Sequence, residues 1–208
     1  MTIACYPLGP LETNCYHLIC EESGESVLID PGGFPRELFG PERMLVLKAI
    51  LLTHGHFDHI GGVGEVAERT GAPVAIHRLD APMLEDPFLN GSTFFGPKTD
   101  PIHPDMLLDG GERIDFGGCA LTVLHTPGHT RGGVSFISEQ DGAVFVGDVL
   151  FRLSVGRWDL PGGNYRTLVR TLRDVFSPMP DTLKVYPGHG ESTTIGFERM
   201  YNEFMAET

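Results

Sequence analysis

Residues 53–59 read Thr-His-Gly-His-Phe-Asp-His, which sets the metal-binding side chains of His54, His56, Asp58 and His59 within one short turn. No fold needs these polar groups packed together for its own stability. Each must be desolvated or left idle at the surface, and burying an unpaired polar group costs about 1–3 kcal/mol. A metal ion offsets that cost for all of them together. Imidazole nitrogens with a carboxylate suit zinc, iron or manganese, and the mixed set is unlike a thiolate structural site.

Three more ligand types stand downstream in matching contexts: His129 in Leu-His-Thr-Pro-Gly-His-Thr, Asp148 in Val-Phe-Val-Gly-Asp, and His189 in Val-Tyr-Pro-Gly-His-Gly. Each follows a short β-branched or aromatic run, at 121–125, 143–148 and 183–189, just as the first motif follows the apolar run at 48–53. The same grammar is written four times: a buried strand, then Gly or Pro-Gly, then a ligand. Strand ends along one edge of a sheet can converge on a point, and glycine lets the backbone come close to a metal.

In this order the motifs HxHxDH, TPGHT, GD and PGHG resemble the metallo-β-lactamase superfamily. The stretch GDVLFRLSVGRWDLPGGN at 147–164 is similar to its small glyoxalase-II-like hydrolases. The resemblance implies an α/β (α+β) fold of four layers, an αββα sandwich, with a two-metal site at one edge. It also implies a ligand set. His54, His56 and His129 would hold one divalent ion, Asp58, His59 and His189 the second, and Asp148 would bridge them. Zinc is the expected metal, with iron or manganese as alternatives.

Composition agrees with an ordinary soluble globule. A chain of 208 residues suffices for one sizeable core, and one domain over 1–208 is expected. Acidic residues number 28 against 15 basic ones, a formal net charge of −13, which argues against a nucleic-acid partner. Neither a leader-like start nor an apolar run of about 18–20 residues is seen, so a cytoplasmic protein without a membrane span is expected. The four cysteines, Cys5, Cys15, Cys20 and Cys119, form no CxxC pair and are read as reduced. A Cys15–Cys20 bridge is disfavoured, because an odd separation along a strand points the two side chains to opposite faces.

Strands are expected near 2–7, 14–20, 26–30, 48–53 and 73–77, then near 112–116, 119–125, 133–138, 143–148 and 183–187. Helices are expected around 35–47, 61–70, 164–176 and 193–205. Residues 78–105 read as a short helix and a long irregular loop whose Phe88, Phe94 and Phe95 are apolar enough to pack. Phe94 and Phe95 are the candidates for lining a substrate pocket. His17, His77, His103 and His125 lack the ligand context, and a structural or supporting role is expected for His125.

An aspartate at position 148, with no cysteine near any motif, resembles the glyoxalase-II and lactonase branches. That resemblance implies hydrolysis of a small thioester, such as an S-acylglutathione. A metal-bridging hydroxide held by Asp58 and Asp148 as the catalytic carboxylates would be the nucleophile. Two departures stand out. Only 19 residues follow His189, where full-length glyoxalase II enzymes carry a helical domain. Their Lys and Tyr after the GD motif correspond to Arg157 and Asp159, so a basic group survives as a candidate anchor for an anionic tail and the tyrosine does not. The rival readings are a lactonase-type hydrolase, a mononuclear-iron persulfide dioxygenase using His54, His129 and Asp148, and a non-catalytic metal-binding protein.

Overall fold

Period-two alternation along the strands sorts the apolar side chains of this chain into three cores. A computed structural model describes residues 1–39 and 46–206, and over these it shows two six-stranded mixed sheets packed face to face. The first sheet runs in sequence order: β1 (Thr2–Leu8), β2 (Thr13–Ile19), β3 (Glu25–Ile29), β4 (Val46–Leu51), β5 (Val74–His77) and β6 (Met106–Leu108). The second comprises β7 (Arg113–Phe116), β8 (Cys119–His125), β9 (Val134–Ser138), β10 (Ala143–Gly147), β11 (Lys184–Pro187) and β12 (Thr193–Thr194).

Alternate residues of one strand face different cores. Val27 and Ile29 of β3 meet Phe136 and Phe145 between the sheets, whereas Leu28 faces outward to Val63 and Val66. In β10, Phe145 points inward while Val144 and Val146 pack against Leu168, Leu172 and Phe176. Strands buried on both faces read as unbroken apolar runs, which is why these segments stand out in the sequence. The outer layers are helical: α1 (Phe57–Ile60), α2 (Val63–Thr70) and α3 (Ser92–Phe95) belong to the first half, and α4 (Tyr165–Thr171), α5 (Ile195–Tyr201) and α6 (Glu203–Ala206) to the second. This is the expected four-layer αββα sandwich.

Several expectations need correction. The stretch 35–47 does not form one helix: Arg36–Leu38 is a single 3-10 turn, residues from Val46 onward are strand, and 40–45 lie outside the described residues. The loop at 78–105 holds a 3-10 turn, Ala81–Leu84, as well as α3, and β6 follows it unexpectedly. The C-terminal helix is interrupted at Asn202, whose Nδ2 donates to Ser154 O at 3.0 Å and whose Oδ1 accepts from Phe204 N at 3.1 Å. Cys15 faces the outer core and Cys20 the inner one, as the odd spacing requires. Among the described residues no helix is long and apolar enough to cross a membrane.

Candidate metal centre

The carboxyl ends of β3, β4, β10 and β11 open on the same edge of the sandwich, and the ligand-bearing turns meet there. His54 and His56 follow β4, and Asp58 and His59 lie in α1 immediately after. His129 sits in the turn between β8 and β9, Asp148 immediately follows β10, and His189 follows β11. All but His189 and Asp148 among these are buried by whole-residue exposure, and Asp148 has a side chain only 11% exposed.

Two nitrogen–oxygen clusters form. His129 Nε2 lies 2.9 Å from His56 Nδ1 and 3.2 Å from His54 Nε2. In the second cluster, His189 Nε2 lies 3.1 Å and His59 Nε2 3.5 Å from Asp58 Oδ2. Asp148 stands between them, with Oδ2 3.7 Å from both His129 Nε2 and His189 Nε2 and Oδ1 3.3 Å from His59 Nε2. The structure thus brings together all seven predicted ligands.

The hydrogen bonds around the clusters set the tautomers. His129 Nδ1 donates to Arg157 O at 2.6 Å and His189 Nδ1 to Leu11 O at 3.2 Å. His59 Nδ1 donates to Asp30 Oδ2 at 2.9 Å, and His54 Nδ1 donates to Thr53 Oγ1 at 3.0 Å. Thr53 Oγ1 in turn donates to Asp30 Oδ2 at 2.5 Å. With their protons spent outward, these four imidazoles aim the Nε2 lone pair inward, the arrangement that metal-bound histidine requires. His59 Nε2 and Asp148 Oδ1 are buried without a hydrogen-bond partner. Leaving such atoms idle costs about 1–3 kcal/mol each, so a divalent cation fits this donor set.

The charge pattern agrees. Burial first, then the neighbouring histidines, pushes His54 well below the ordinary imidazole range, and His56 falls to about 3. Burial also lowers His129. Burial works to raise Asp58 and Asp148, yet the surrounding imidazoles hold both below the usual carboxylate range. For His59 and His189, burial works against the charge, but the carboxylates beside them raise both above it. Ionised Asp58 and Asp148 stand beside His54, His56 and His129, which are held neutral, and draw His59 and His189 toward the protonated form, so the site favours positive charge.

Close backbone approach completes the centre. A Cβ on Gly188 would lie 2.2 Å from Asp148 Oδ1 and 2.7 Å from His59 Cε1, so only glycine fits between the ligands. The first sheet braces this turn: Asn14 Nδ2 donates to Pro187 O at 3.0 Å and Gly190 O at 2.9 Å, and Tyr16 Oη donates to Pro187 O at 2.6 Å.

Above the ligands lies a cavity of about 410 Å³, walled by Leu11, Phe57, Asn90, Phe95, Phe151, Arg157 and Leu160. Phe95 reaches it; Phe94 packs behind, its ring 5.9 Å from Phe95 and 5.4 Å from Phe88. Arg157 lies over the Phe95 ring at 5.1 Å and pairs with Asp159 at 2.7 and 3.1 Å. The C-terminal helix holds the Phe151 wall, since buried Glu198 accepts from Leu153 N at 2.8 Å and from Thr193 Oγ1 at 2.6 Å.

Two supporting residues escape a motif reading. Asp30 carries the same grammar as the ligands, Val-Leu-Ile-Asp-Pro-Gly, and that signal could have found it. Asp80 has none: it accepts from Thr130 Oγ1 and Gly132 N, both at 2.6 Å, and so fixes the His129 turn from 50 residues away in sequence. The other histidines stay outside. His125 stacks on His77 at 4.3 Å and its Nε2 donates to Arg131 O at 3.0 Å, a supporting role as expected, while His103 is exposed beside Glu85.

Comparison with known proteins places this geometry. The sequence model of the metallo-beta-lactamase superfamily matches residues 8–189. An uncharacterized protein of Aquifex aeolicus is 38% identical over 208 residues, covering 100% of this chain and 98% of that protein. A hydroxyacylglutathione hydrolase, GloC, of Haemophilus influenzae is 35% identical over 209 residues, covering 99% and 98%. Among solved structures, a B3 metallo-beta-lactamase, BLEG-1, is 40% identical with a TM-score of 0.92, covering 98% of this chain and 99% of that one. TTHA1623 in a di-iron-bound form is 40% identical with a TM-score of 0.85, covering 98% and 100%.

Proposed function

The chain belongs to the metallo-β-lactamase superfamily, and on that premise we propose that it hydrolyses small-molecule thioesters with the help of two divalent metal ions, zinc foremost. The observation that carries the proposal is the floor of the cavity, where seven donor side chains converge beneath apolar walls. Two ions held by these residues would lower the pKa of shared water from about 15.7 toward about 7 and polarise a carbonyl oxygen.

The chain's own groups supply the rest. Asp58 is held through Oδ2 by Thr13 Oγ1, which donates to it at 3.1 Å, and this leaves Oδ1 to take the proton of the attacking water. Asp148 balances charge between the clusters. Phe57, Phe95, Phe151 and Leu160 exclude bulk water and hold the acyl or thiol portion. A departing amine would need the proton back from Asp58. A thiol, with an ordinary pKa of about 8.5, leaves as the thiolate without that help. The likeness to a hydroxyacylglutathione hydrolase supports an S-acylglutathione or a similar small-thiol ester. A mononuclear iron site would leave His56, Asp58, His59 and His189 without work, which tells against the dioxygenase reading.

The structural likeness to a B3 metallo-β-lactamase favours a second reading, opening of a β-lactam ring. A panel on the zinc-loaded protein separates the two: S-lactoylglutathione, a neutral thioester, a lactone and a cephalosporin. The proposal expects kcat/KM to be highest for a thioester; turnover of the cephalosporin or lactone without any thioester activity overturns it.

Two residues of the mouth give further expectations. We place the substrate's anionic tail on Arg157, because its pair with Asp159 is exposed and screened by water, so a carboxylate can compete for it. Arg157→Ala should then lower kcat/KM about 10–100-fold for a carboxylate-bearing thioester and barely change a neutral one. Equal losses on both, with a lower Tm, would assign the arginine to bracing the loop. For Phe94→Ser/Phe95→Ser, KM should rise severalfold with a small change in Tm, since both rings are about half exposed, at 52% and 51%. A large fall in Tm with KM unchanged would make them core residues.

A further inference from the structure

Each cluster draws ligands from both sheets, so its geometry depends on how the sheets are held together at this edge. His54 and His56 follow β4 of the first sheet, whereas His129 stands in the β8–β9 turn of the second. Asp58 and His59 also follow β4, and their partner His189 stands in the turn after β11. Two buried polar side chains from the first sheet's side cross that gap, one at each cluster.

Asp80, just beyond β5, crosses at the first. Its Oδ2 accepts from Thr130 Oγ1 and its Oδ1 from Gly132 N, both at 2.6 Å, so it grips the turn immediately after His129. Hydrogen bonds to a carboxylate are roughly twice as strong as those between neutral groups. The backbone around Asp80 is also wedged between the two ligand turns. A Cβ on Gly132 would lie 2.7 Å from Asp80 N. One on Gly55, between His54 and His56, would lie 2.6 Å from Met83 Cβ and 3.2 Å from Asp80 O. The Asp80 turn therefore packs directly on both segments that carry the first cluster.

Asn14 of β2 crosses at the second cluster. Its Nδ2 donates to Pro187 O at 3.0 Å and Gly190 O at 2.9 Å, and its backbone N donates to Gly188 O at 2.7 Å. His189 lies inside that bracket. Among the described residues, the Asp80 carboxylate bonds no part of the His189 turn, and the Asn14 amide no part of the His129 turn. Asp30 differs from both, because it orients His59 directly and His54 through Thr53.

We propose that the two halves of the centre are positioned separately: Asp80 sets the site of His54, His56 and His129, and Asn14 sets the site of Asp58, His59 and His189. Neither is a ligand. Each is a positioning residue that acts through the turn aiming a histidine of the second sheet. The inference rests on the two-ion reading of the clusters, and it means that the ions can be lost one at a time.

The test titrates zinc into chelator-stripped parent, Asp80→Ala and Asn14→Ala protein against a chromophoric chelator, and reads the bound histidines from imidazole nitrogen NMR shifts. In Asp80→Ala one affinity should fall about 10–100-fold, with His54, His56 and His129 the rings left unbound when a single ion is loaded. In Asn14→Ala the same loss should fall on His59 and His189. The other ion's affinity should stay within about twofold in each variant, the scatter expected of independent sites. Asp80→Asn should recover part of the loss, since its amide oxygen still accepts from Gly132 N and its amide nitrogen can donate to the Thr130 hydroxyl. Asp30→Asn should weaken both ions. If Asp80→Ala does not fold, Thr130→Val removes one of the two bonds at similar shape and carries the same selectivity. Equal weakening of both ions in each variant would overturn the proposal while leaving the two-ion centre intact. So would a lower Tm of the metal-free protein with both affinities unchanged. A parent that binds only one ion would overturn the two-ion reading itself, and this inference with it.

Discussion

Replacing Asp148 by alanine should remove both metal ions from the protein and reduce turnover about 1000-fold or more, a loss of ~4 kcal/mol at 1.4 kcal/mol per decade. The expected size follows from its place: Oδ2 stands 3.7 Å from a histidine of each cluster and Oδ1 3.3 Å from a third. On the proposed two-metal reading, alanine would delete a ligand shared by both clusters and the charge that would offset two cations in a buried site. Metal analysis of the purified variant, beside kinetics in added zinc, checks this. His103→Ala, on an exposed loop away from the clusters, serves as the control and should match the parent. Retention of two ions and full turnover by Asp148→Ala would mean that the bridge lies elsewhere.

Asp30→Asn should weaken metal binding about 10–100-fold although residue 30 is not placed as a ligand. Its carboxylate orients two of them, His59 directly and His54 through Thr53. An amide presents one acceptor where the carboxylate presents two. Oδ2 accepts from both Thr53 Oγ1 and His59 Nδ1 while Oδ1 accepts from Thr53 N at 2.8 Å, so the amide nitrogen must face one of these donors. The side chain then turns from the donor it cannot match, and the inward nitrogens of His54 and His59 lose their aim. Competition against a chromophoric chelator measures the affinity, and circular dichroism confirms that the fold survives. Unchanged affinity would show that packing alone orients His54 and His59.

The parts of this architecture that could be read in the sequence are those whose burial is extreme. Strands such as β10 are covered on both faces, so Ala143–Val146 is unbroken apolar sequence and its boundaries can be seen without a structure. The ligands were legible because each lies in a glycine-bearing turn that follows such a strand. What escaped was set by tertiary contact. β6 exposes Met106 and Leu107 at the edge of its sheet and exists only because β5 offers it a parallel partner. The break at Asn202 is likewise invisible locally, since its side chain caps α6 and reaches the carbonyl of Ser154 in a distant loop. Asp80 supports the His129 turn through contacts that no spacing rule connects. The four-layer arrangement itself came from resemblance; strand periodicity alone does not say which sheets pack together.

The C-terminal segment also takes on a meaning the motifs did not carry. Glu198 and Asn202 grip residues 151–154 from below, so the wall bearing Phe151 is positioned by the last helices of the chain. Pocket shape and the packing of α5 are therefore coupled in this protein.

The central claim is a two-metal centre that performs hydrolysis. Its most direct test is the metal content per chain, measured alongside thioester turnover as metal is returned to chelator-stripped protein. A dinuclear hydrolase predicts that activity climbs with loading and levels off at about two ions per chain, with no oxygen consumed. Full thioester turnover in metal-free protein, or saturation at one iron with oxygen uptake on a persulfide, would contradict it.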